Sequence, residues 1–192
     1  MVGWPKAFGF QVYSWVLGMN DLTNNNPLDV TDFLHASLTA SCLEQSLAFY
    51  RDILNMEVVS VRSQGDVCTI REERGTYVAG VTGYKDAHLK IAILRYGAFH
   101  LELIEYVSPR GEPLGSGTNR PGCPHLAFVV SDLDHAWRVL QQGRYRWNLS
   151  FASSGPVNVD SGPNAGGRVI YFRGPDEVTI ELVELNNQGT HR

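Results

Sequence analysis

With 192 residues, a net charge of −4, 43% hydrophobic and 19% charged residues, the chain has the composition of a globular protein and suffices for one domain or two small half-domains. The acidic balance and the absence of any run of lysine or arginine argue against a nucleic-acid-binding surface. The three cysteines have no CxxC spacing, which argues against a disulfide framework or a zinc knuckle and favours a reduced, cytoplasmic setting.

Residues 1–31 are expected to form an N-terminal arm or helix that packs on the domain or on a partner subunit. Residues 7–19 are moderately apolar, but polar residues interrupt them and no small-residue cleavage site follows, so the pattern does not favour a secretion signal. No apolar run reaches the length of about 18 residues that a membrane span requires.

Residues 32–107 are predicted to form a first module with the order strand, helix and three strands. Alternating polar and apolar residues predict a strand over 32–40, after which Ser41 is expected to cap a helix that ends near Asn55. Three further strands are predicted, the last two joined by a tight turn, over 57–62, 89–95 and 99–107. The extra stretch near 65–87 is an insertion, in which TYVAGVTGY is interpreted as a short helix or a flap.

A second module over 124–187 is predicted to repeat this order. The Pro- and Gly-rich residues 108–123 are interpreted as the linker before it, and residues 188–192 as a tail. A strand over 125–130 precedes a helix that Ser131 is expected to cap and Gly143 to end. After a loop rich in Gly, Pro and Ser, the last strands are predicted over 168–172 and 178–184.

Two short phrases each occur twice, once in each module and in the same order. His-x5-Ser-x-Leu begins at His35 and again at His125, and apolar-Glu-Leu-apolar-Glu places Glu102 in LELIE and Glu181 in IELVE. The histidine and the glutamate are 67 residues apart in the first module and 56 in the second, a difference that the insertion accounts for. Two copies of one module explain this pattern.

Strand alternation selects one glutamate from each repeated pair. Glu102 and Glu105 point to opposite faces of their strand, as do Glu181 and Glu184. Glu102 and Glu181 lie in mid-strand between apolar residues, where a carboxylate is costly unless it is paired or metal-bound, so we predict that they face a common interior. Glu105 and Glu184 are expected to be solvated or to lie at a sheet edge.

The quartet of His35, Glu102, His125 and Glu181 is therefore predicted to bind a divalent metal. Taken singly, a histidine or a glutamate on a strand is usually a structural or solvent-facing residue. Both residue types recur at matching points of both modules, however, and neutral imidazole with carboxylate suits zinc, nickel, cobalt, manganese or iron. Two residues of each type leave one or two coordination positions for water or substrate.

The chain also resembles the vicinal-oxygen-chelate superfamily, which includes glyoxalase I, methylmalonyl-CoA epimerase, extradiol dioxygenases and fosfomycin-resistance proteins. The resemblance covers about residues 32–187 and is carried by FLHASLTASCLEQSLAFYRDILNMEVV, FHLELIEYVSP, HLAFVVSDLDHAW and GGRVIYFRGPDEVTIELVE. It implies an α+β fold in which two tandem βαβββ modules form curved mixed sheets around a metal site, and it implies a homodimer. Members of the superfamily build the site either from both modules of one chain or from modules of two subunits, and the spacing does not decide between these. By this resemblance, the quartet falls on the four ligand positions.

The complete His-Glu-His-Glu set resembles the glyoxalase I and CoA-ester epimerase branch. That resemblance implies a metal-dependent isomerase, epimerase or lyase acting on a small organic substrate. The metal would polarise a carbonyl while Glu181, with Glu102, moves the adjacent proton through an enediolate or enolate. The alternatives are an Fe(II)-dependent ring-cleaving oxygenase, whose family uses two histidines and one carboxylate, and a non-catalytic binder of small molecules.

Two positions depart from the pattern of bacterial glyoxalase I. The arginine that usually follows the first histidine by four residues is Thr39, and the asparagine that follows the first glutamate by four is Tyr106. A glutathione adduct is therefore not favoured as the substrate. His100 shares a strand face with Glu102, and we predict that His100, Thr39 and Tyr106 contact the substrate.

Overall fold

The structure is a computed structural model that describes residues 28–63, 66–115 and 117–186. Its internal contacts divide the chain into residues 1–34 and 35–192, and every helix and strand given below belongs to the second unit. The N-terminal arm expected over 1–31 lies outside the described residues apart from its last four, and the tail over 188–192 lies outside them entirely. No helix in the described part of the chain is long and apolar enough to cross a membrane.

The first module is built on a five-stranded mixed sheet. Its elements in chain order are β1 (Ala36–Thr39), α1 (Leu43–Asp52), β2 (Glu57–Val59), β3 (Val61–Ser63), β4 (Asp66–Cys68), β5 (Arg71–Arg74), α2 (Thr76–Thr82), β6 (His88–Tyr96) and β7 (Phe99–Ser108). The sheet has the order β1-β7-β6-β2, with β5 also on β6, while β3 and β4 form a separate ribbon. β1 is an edge strand and pairs in parallel with β7.

The second module repeats this plan without a counterpart of α2 among the described residues. It consists of β8 (His125–Val129), α3 (Leu133–Gly143), β9 (Ser150–Phe151), β10 (Val157–Asn158), β11 (Arg168–Arg173), a 3-10 turn (Pro175–Glu177) and β12 (Thr179–Glu184). The sheet order is β10-β11-β12-β8, with β9 also on β11. β8 is an edge strand and pairs in parallel with β12, as β1 does with β7.

This architecture confirms the α+β fold with two mixed sheets built from βαβββ-like modules. Some strand bounds differ from the predicted ones. The strand predicted over 32–40 is limited to β1, and the one predicted over 57–62 is divided between β2 and β3. The TYVAGVTGY segment contains a helix, α2.

One hydrophobic core joins the two modules through their helices and one face of each sheet. On α1, the ring centroid of Phe49 lies 5.8 Å from that of Trp147 and 6.4 Å from that of Phe172, and both of these residues belong to the second module. The first sheet contributes the alternate residues Ala92, Leu94, Leu101 and Leu103, and the second sheet contributes Ile170, Phe172, Ile180 and Leu182. The opposite face of each sheet turns away from this core, and we refer to it as the outer face.

Both long helices begin at a carboxylate that comes from a strand. The backbone N–H of Leu43 donates to Glu105 at 2.9 Å, and that of Leu133 donates to Glu184 at 2.7 Å. A negative charge at this end of a helix also interacts favourably with the helix dipole. The expectation that Glu105 is solvated or at a sheet edge was therefore wrong, since only 6% of this residue is exposed.

The predicted serine caps were also wrong. Helix α1 has Cys42 at its N-cap, with no side-chain hydrogen bond, and the Ser41 backbone N–H donates to Asp176 instead. Helix α3 has Asp132 at its N-cap, where the carboxylate accepts from the His135 backbone N–H at 2.8 Å. Gly143 is the last residue of α3, as predicted.

Helix α2 packs on the outer face of the first sheet. Val78 is only 2% exposed and lies in a second, smaller core with Ala87, Leu89, Ile91, Ile93, Ile104 and Tyr106. Tyr84, just after the helix, makes an edge-to-face contact with Tyr106, with ring centroids 5.9 Å apart. The insertion therefore covers one end of the face on which Glu102 lies.

Candidate functional site

The first repeated histidine and glutamate lie together on the first sheet. Glu102 is on the outer face of β7, where Ser37 of β1 is its neighbour in register. His35 directly precedes β1 and approaches from this edge strand, so that its Nε2 lies 3.4 Å from Glu102 Oε2. The histidine side chain is 33% exposed and that of the glutamate 14%, which leaves the imidazole accessible from outside the sheet.

The second repeated pair has the same geometry on the second sheet. His125 begins β8 and Glu181 lies on the outer face of β12, with Nε2 and Oε2 again 3.4 Å apart. His125 is 48% exposed and Glu181 17%. Parallel pairing of an edge strand with a central strand therefore produces the same arrangement twice. We refer to His35 with Glu102 as the first half-site and to His125 with Glu181 as the second half-site.

The 3.4 Å separation has a chemical meaning. It exceeds the usual range of about 2.7–3.2 Å for a hydrogen bond between nitrogen and oxygen. Two ligand atoms on one tetrahedral metal, each bound at about 2.0–2.2 Å, lie roughly 3.3–3.6 Å from one another. Each His–Glu pair is thus spaced like two adjacent ligands of one metal ion.

The two half-sites do not meet in a single chain. No three His, Cys, Asp or Glu side chains of the described residues lie together as a metal-holding group. The reason is visible in the fold, because the helices and the inner sheet faces occupy the space between the modules. Both pairs lie on outer faces, each beside an edge strand.

Tyr171 is a site residue that the sequence analysis missed. It lies opposite Glu181 in the β11–β12 hairpin, and its hydroxyl donates to Glu181 Oε2 at 3.1 Å. Its ring also lies against His125, with centroids 5.9 Å apart. The pKa of the Tyr171 phenol is raised, mainly by burial and secondly by the negative charge of the neighbouring Glu181. The phenol therefore stays protonated and acts as a hydrogen-bond donor. Strand register across the predicted turn would have pointed to this residue.

The first half-site has no such tyrosine. The residue opposite Glu102 is Ile93, which belongs to the small core beneath α2. The residue opposite the glutamate therefore differs between the two modules. It is a hydrogen-bond donor beside Glu181 and an aliphatic side chain beside Glu102.

The three residues predicted to contact substrate are all on the outer face of the first sheet. His100 and Tyr106 flank Glu102 on alternate positions of β7, and exposed Thr39 lies on β1 in register with Ile104. Tyr106 is partly covered by Tyr84, whereas His100 lies at the opposite end of the face, across from Arg95.

A cavity of about 220 Å³ adjoins the second half-site. It lies between the β6–β7 turn and β8 and is lined by Tyr96, Phe99, His125, Leu126, Ala127 and Phe128. Ligand pockets usually enclose about 300–1,000 Å³. A single chain therefore offers His125 an apolar recess smaller than a typical binding site.

The family model for the Glyoxalase/Bleomycin resistance protein/Dioxygenase superfamily matches residues 32–182, which contain both half-sites. The chain belongs to this superfamily. The chain is similar to a 2-epi-5-epi-valiolone epimerase from Actinomyces sp., 29% identical over 156 residues, which are 79% of this chain and 78% of the epimerase. The protein YwkD of Bacillus subtilis (strain 168) is 28% identical over 150 residues, 78% of this chain and 94% of its own.

Solved structures support the superfamily fold. A glyoxalase family protein from Bacillus cereus superposes with a TM-score of 0.64 at 18% identity, over 85% of this chain and 97% of its own. A glyoxalase family protein from Enterococcus faecalis gives a TM-score of 0.54 at 19% identity, over 80% and 98% of the two chains.

Proposed function

We propose that this superfamily member is a divalent-metal-dependent isomerase, epimerase or lyase that moves a proton next to a metal-polarised carbonyl of a small organic substrate. The observation that carries this proposal is the repeated His–Glu spacing of 3.4 Å on two equivalent outer faces. The distant relationship to a protein named an epimerase supports the same class of chemistry.

The donor set fits a divalent metal such as zinc, nickel, cobalt, manganese or iron. His35 and Glu102 would supply two ligands, and His125 and Glu181 two more. Imidazole nitrogen and carboxylate oxygen are common ligands of these ions, and four of them leave room for a substrate oxygen. The partly exposed imidazoles are accessible to an incoming ion without a change in the sheet.

A second copy of the chain would complete the site in a homodimer. The first pair of one copy would face the second pair of its partner, because the shared core keeps the two pairs of one chain apart. The edge strands β1 and β8 are suited to this, since among the described residues each pairs with a strand on one side only, and an approaching sheet can use the other side.

The chemistry would divide between the metal and the glutamates. When bound by the four ligand residues, a divalent metal would supply Lewis-acid chemistry, which increases the acidity of the hydrogen on the carbon next to the carbonyl. Glu181 and Glu102 would be the carboxylates that remove and return this proton. Tyr171 holds Glu181 in place by its hydrogen bond, while the apolar neighbours of Glu102 limit water around that carboxylate.

The substrate contacts would come from the outer face of the first sheet. His100 and Thr39 lie beside the first half-site where α2 does not cover the sheet. Tyr106 and α2 would close the other end of this face. Because neither Thr39 nor Tyr106 has the charge or amide of the bacterial glyoxalase I pattern, we propose a substrate other than a glutathione adduct.

Deuterium exchange tests this function directly. Protein freed of metal and reloaded with nickel, cobalt, zinc, manganese or iron is incubated in D₂O with a panel of carbonyl compounds that includes 2-epi-5-epi-valiolone. We expect metal-dependent incorporation at the carbon next to the carbonyl, and its loss in Glu181→Gln and Glu102→Gln but not in the exposed Glu112→Gln. Oxygen consumption with iron alone would instead favour the ring-cleaving oxygenase. Full exchange by metal-loaded Glu181→Gln and by metal-loaded Glu102→Gln would overturn the proposed roles.

A further inference from the structure

The outer face of the second sheet contains a buried hydroxyl without a partner. Thr179, the first residue of β12, is 2% exposed, and its Oγ1 has no hydrogen-bond partner among the described residues. Buried polar groups nearly always have a partner, because an unsatisfied one costs folding free energy. An unpaired hydroxyl at such a position therefore points to an absent binding partner.

Thr179 lies directly beside the second half-site. It is in register with His125 on β8 and opposite Arg173 on β11, so that these three residues share the outer face with Glu181. Thr179 also lines a small cavity, of about 30 Å³, together with Thr118, Ala152, Tyr171, Phe172 and Arg173. The unpaired hydroxyl, a cation and a cavity thus occur at one place.

The size of the cavity restricts its occupant. One water needs about 10–15 Å³ on this measure, so the cavity holds roughly two oxygen atoms. The two oxygens of a carboxylate fit this space. Arginine and a hydroxyl are both donors that a carboxylate accepts.

The first module has no hydroxyl at the equivalent position. The residues that match Thr179 and Arg173 in the first module are His100 and Arg95, which lie opposite each other in the same way. Arg95 forms a close ion pair with Glu57, at 2.6 Å. Arg173 also has contacts within the protein, and its Nε lies 4.0 Å from a carboxylate oxygen of Glu177.

We propose that Thr179 and Arg173 form a carboxylate-binding subsite beside His125, and that the substrate is accordingly a small hydroxy or oxo acid. The carboxylate would enter the cavity and accept hydrogen bonds from Thr179 and Arg173, while its reacting carbon lies towards Glu181. A metal ion bound to Glu181, as proposed above, would offset the negative charge of that carboxylate. The assignment of the reacting substrate rests on the proposed function, whereas binding of a carboxylate does not.

Calorimetric titration with glycolate tests the subsite, with ethylene glycol as the uncharged probe. Both are added to the metal-loaded and the metal-free full-length protein, as wild type, Thr179→Val and Thr179→Ser. We expect the wild type to bind glycolate in both forms and to bind ethylene glycol much more weakly. Thr179→Val should weaken glycolate binding about tenfold or more, the effect of a lost hydrogen bond to a charged group, and Thr179→Ser should largely retain it.

Several results would overturn the subsite. These are absence of glycolate binding by the wild type, equal affinity of Thr179→Val, and a crystal structure in saturating glycolate with only water beside Thr179. Thr179→Val should fold normally, because it keeps the shape and removes an unpaired hydroxyl, and thermal unfolding checks this. Metal content and deuterium exchange report on the proposed function separately, so a failure of either proposal leaves the other measurable.

Discussion

The Glu105 carboxylate accepts a hydrogen bond from the backbone N–H of Leu43, the first residue of α1, at 2.9 Å. Glu184 has the same relationship to α3. The two glutamates of each repeated Glu-Leu-apolar-Glu phrase therefore have different contacts. The first lies with a histidine on the outer face, and the second accepts a hydrogen bond from the start of a helix on the inner face. One strand thus fixes both the candidate ligand and the helix that supports it.

Removing the first of these anchors should destabilise the fold. In Glu105→Ala, the Leu43 N–H and the Arg110 guanidinium both lose their carboxylate partner, and the former lies in a buried environment. We expect the free energy of unfolding to fall by about 2–3 kcal/mol, as measured in urea. The exposed Glu112→Ala is the control. A change for Glu105→Ala within about 0.5 kcal/mol, typical of neutral surface positions, would contradict this account.

Subunit mixing distinguishes a shared metal site from one built within a chain. His35→Ala and His125→Ala proteins should each bind little metal. After the two are mixed and their subunits exchanged, half of the dimers carry both variants, and each such dimer regains one intact site. We expect about a quarter of the wild-type metal content by elemental analysis, because random pairing gives this fraction.

The matched control for subunit mixing combines two variants whose substitutions lie in the same half-site. His35→Ala mixed with Glu102→Ala leaves no intact first half-site in any dimer, so this mixture should recover no metal. Recovery by both mixtures, or by neither, would argue against a site shared between copies.

Tyr171→Phe should loosen the metal site without changing its ligands. The substitution removes the 3.1 Å hydrogen bond to Glu181 while it preserves the ring beside His125. Groups that orient metal ligands usually contribute about 10–100-fold in affinity, so we expect a loss of this size in cobalt binding, followed by visible absorption. Tyr145→Phe, on a residue that is 91% exposed, should bind as the wild type does. Equal cobalt affinities and spectra for both variants would show that Tyr171 does not contribute to metal binding.

Acid should weaken the anchoring of α3 through Asp132. The hydrogen bond from the His135 backbone N–H is the main cause that holds the pKa of Asp132 below its usual value. A carboxyl with a lowered pKa in the folded state stabilises the fold above its unfolded pKa, and this contribution is lost as pH falls through the folded pKa. Asp132→Asn retains a cap that does not titrate.

The measurement is the change in Tm between pH 7 and pH 3. We expect a smaller drop for Asp132→Asn than for the wild type, while Asp160→Asn, at an exposed loop position, should drop as the wild type does. Equal drops for all three proteins would show that Asp132 adds nothing to the acid dependence of stability.

Local patterns were sufficient to predict most of the fold. The alternation around Glu102 and Glu181 correctly assigned them to the face opposite Glu105 and Glu184, because side-chain direction along a strand depends only on its period. Helix starts were predicted less well. Ser41 was a reasonable cap by local rules, but the carboxylate that meets α1 is 62 residues further along the chain, and no local rule includes it.

The separation of the two half-sites lay equally beyond local reasoning. Repeated phrases predict that His35 and His125 occupy equivalent positions, yet not which sheet faces meet. That outcome depends on contacts between modules, such as Phe49 against Trp147 and Phe172, which direct both inner faces towards one core. Tyr171 was missed for a different reason, since its pairing with Glu181 follows from the register of the predicted hairpin and not from either strand alone.

Helix α2 lies on the outer face of the first sheet, and the described part of the second sheet has no helix in the same place. In a site assembled from two like halves, a substrate could otherwise bind in either of two orientations related by a half-turn. In the proposed site, the helix would lie at one end only and would block one of the two orientations. A ligand held in a single orientation presents only one side of its reacting carbon to each glutamate, so the insertion would give a nearly symmetric site its stereochemical preference.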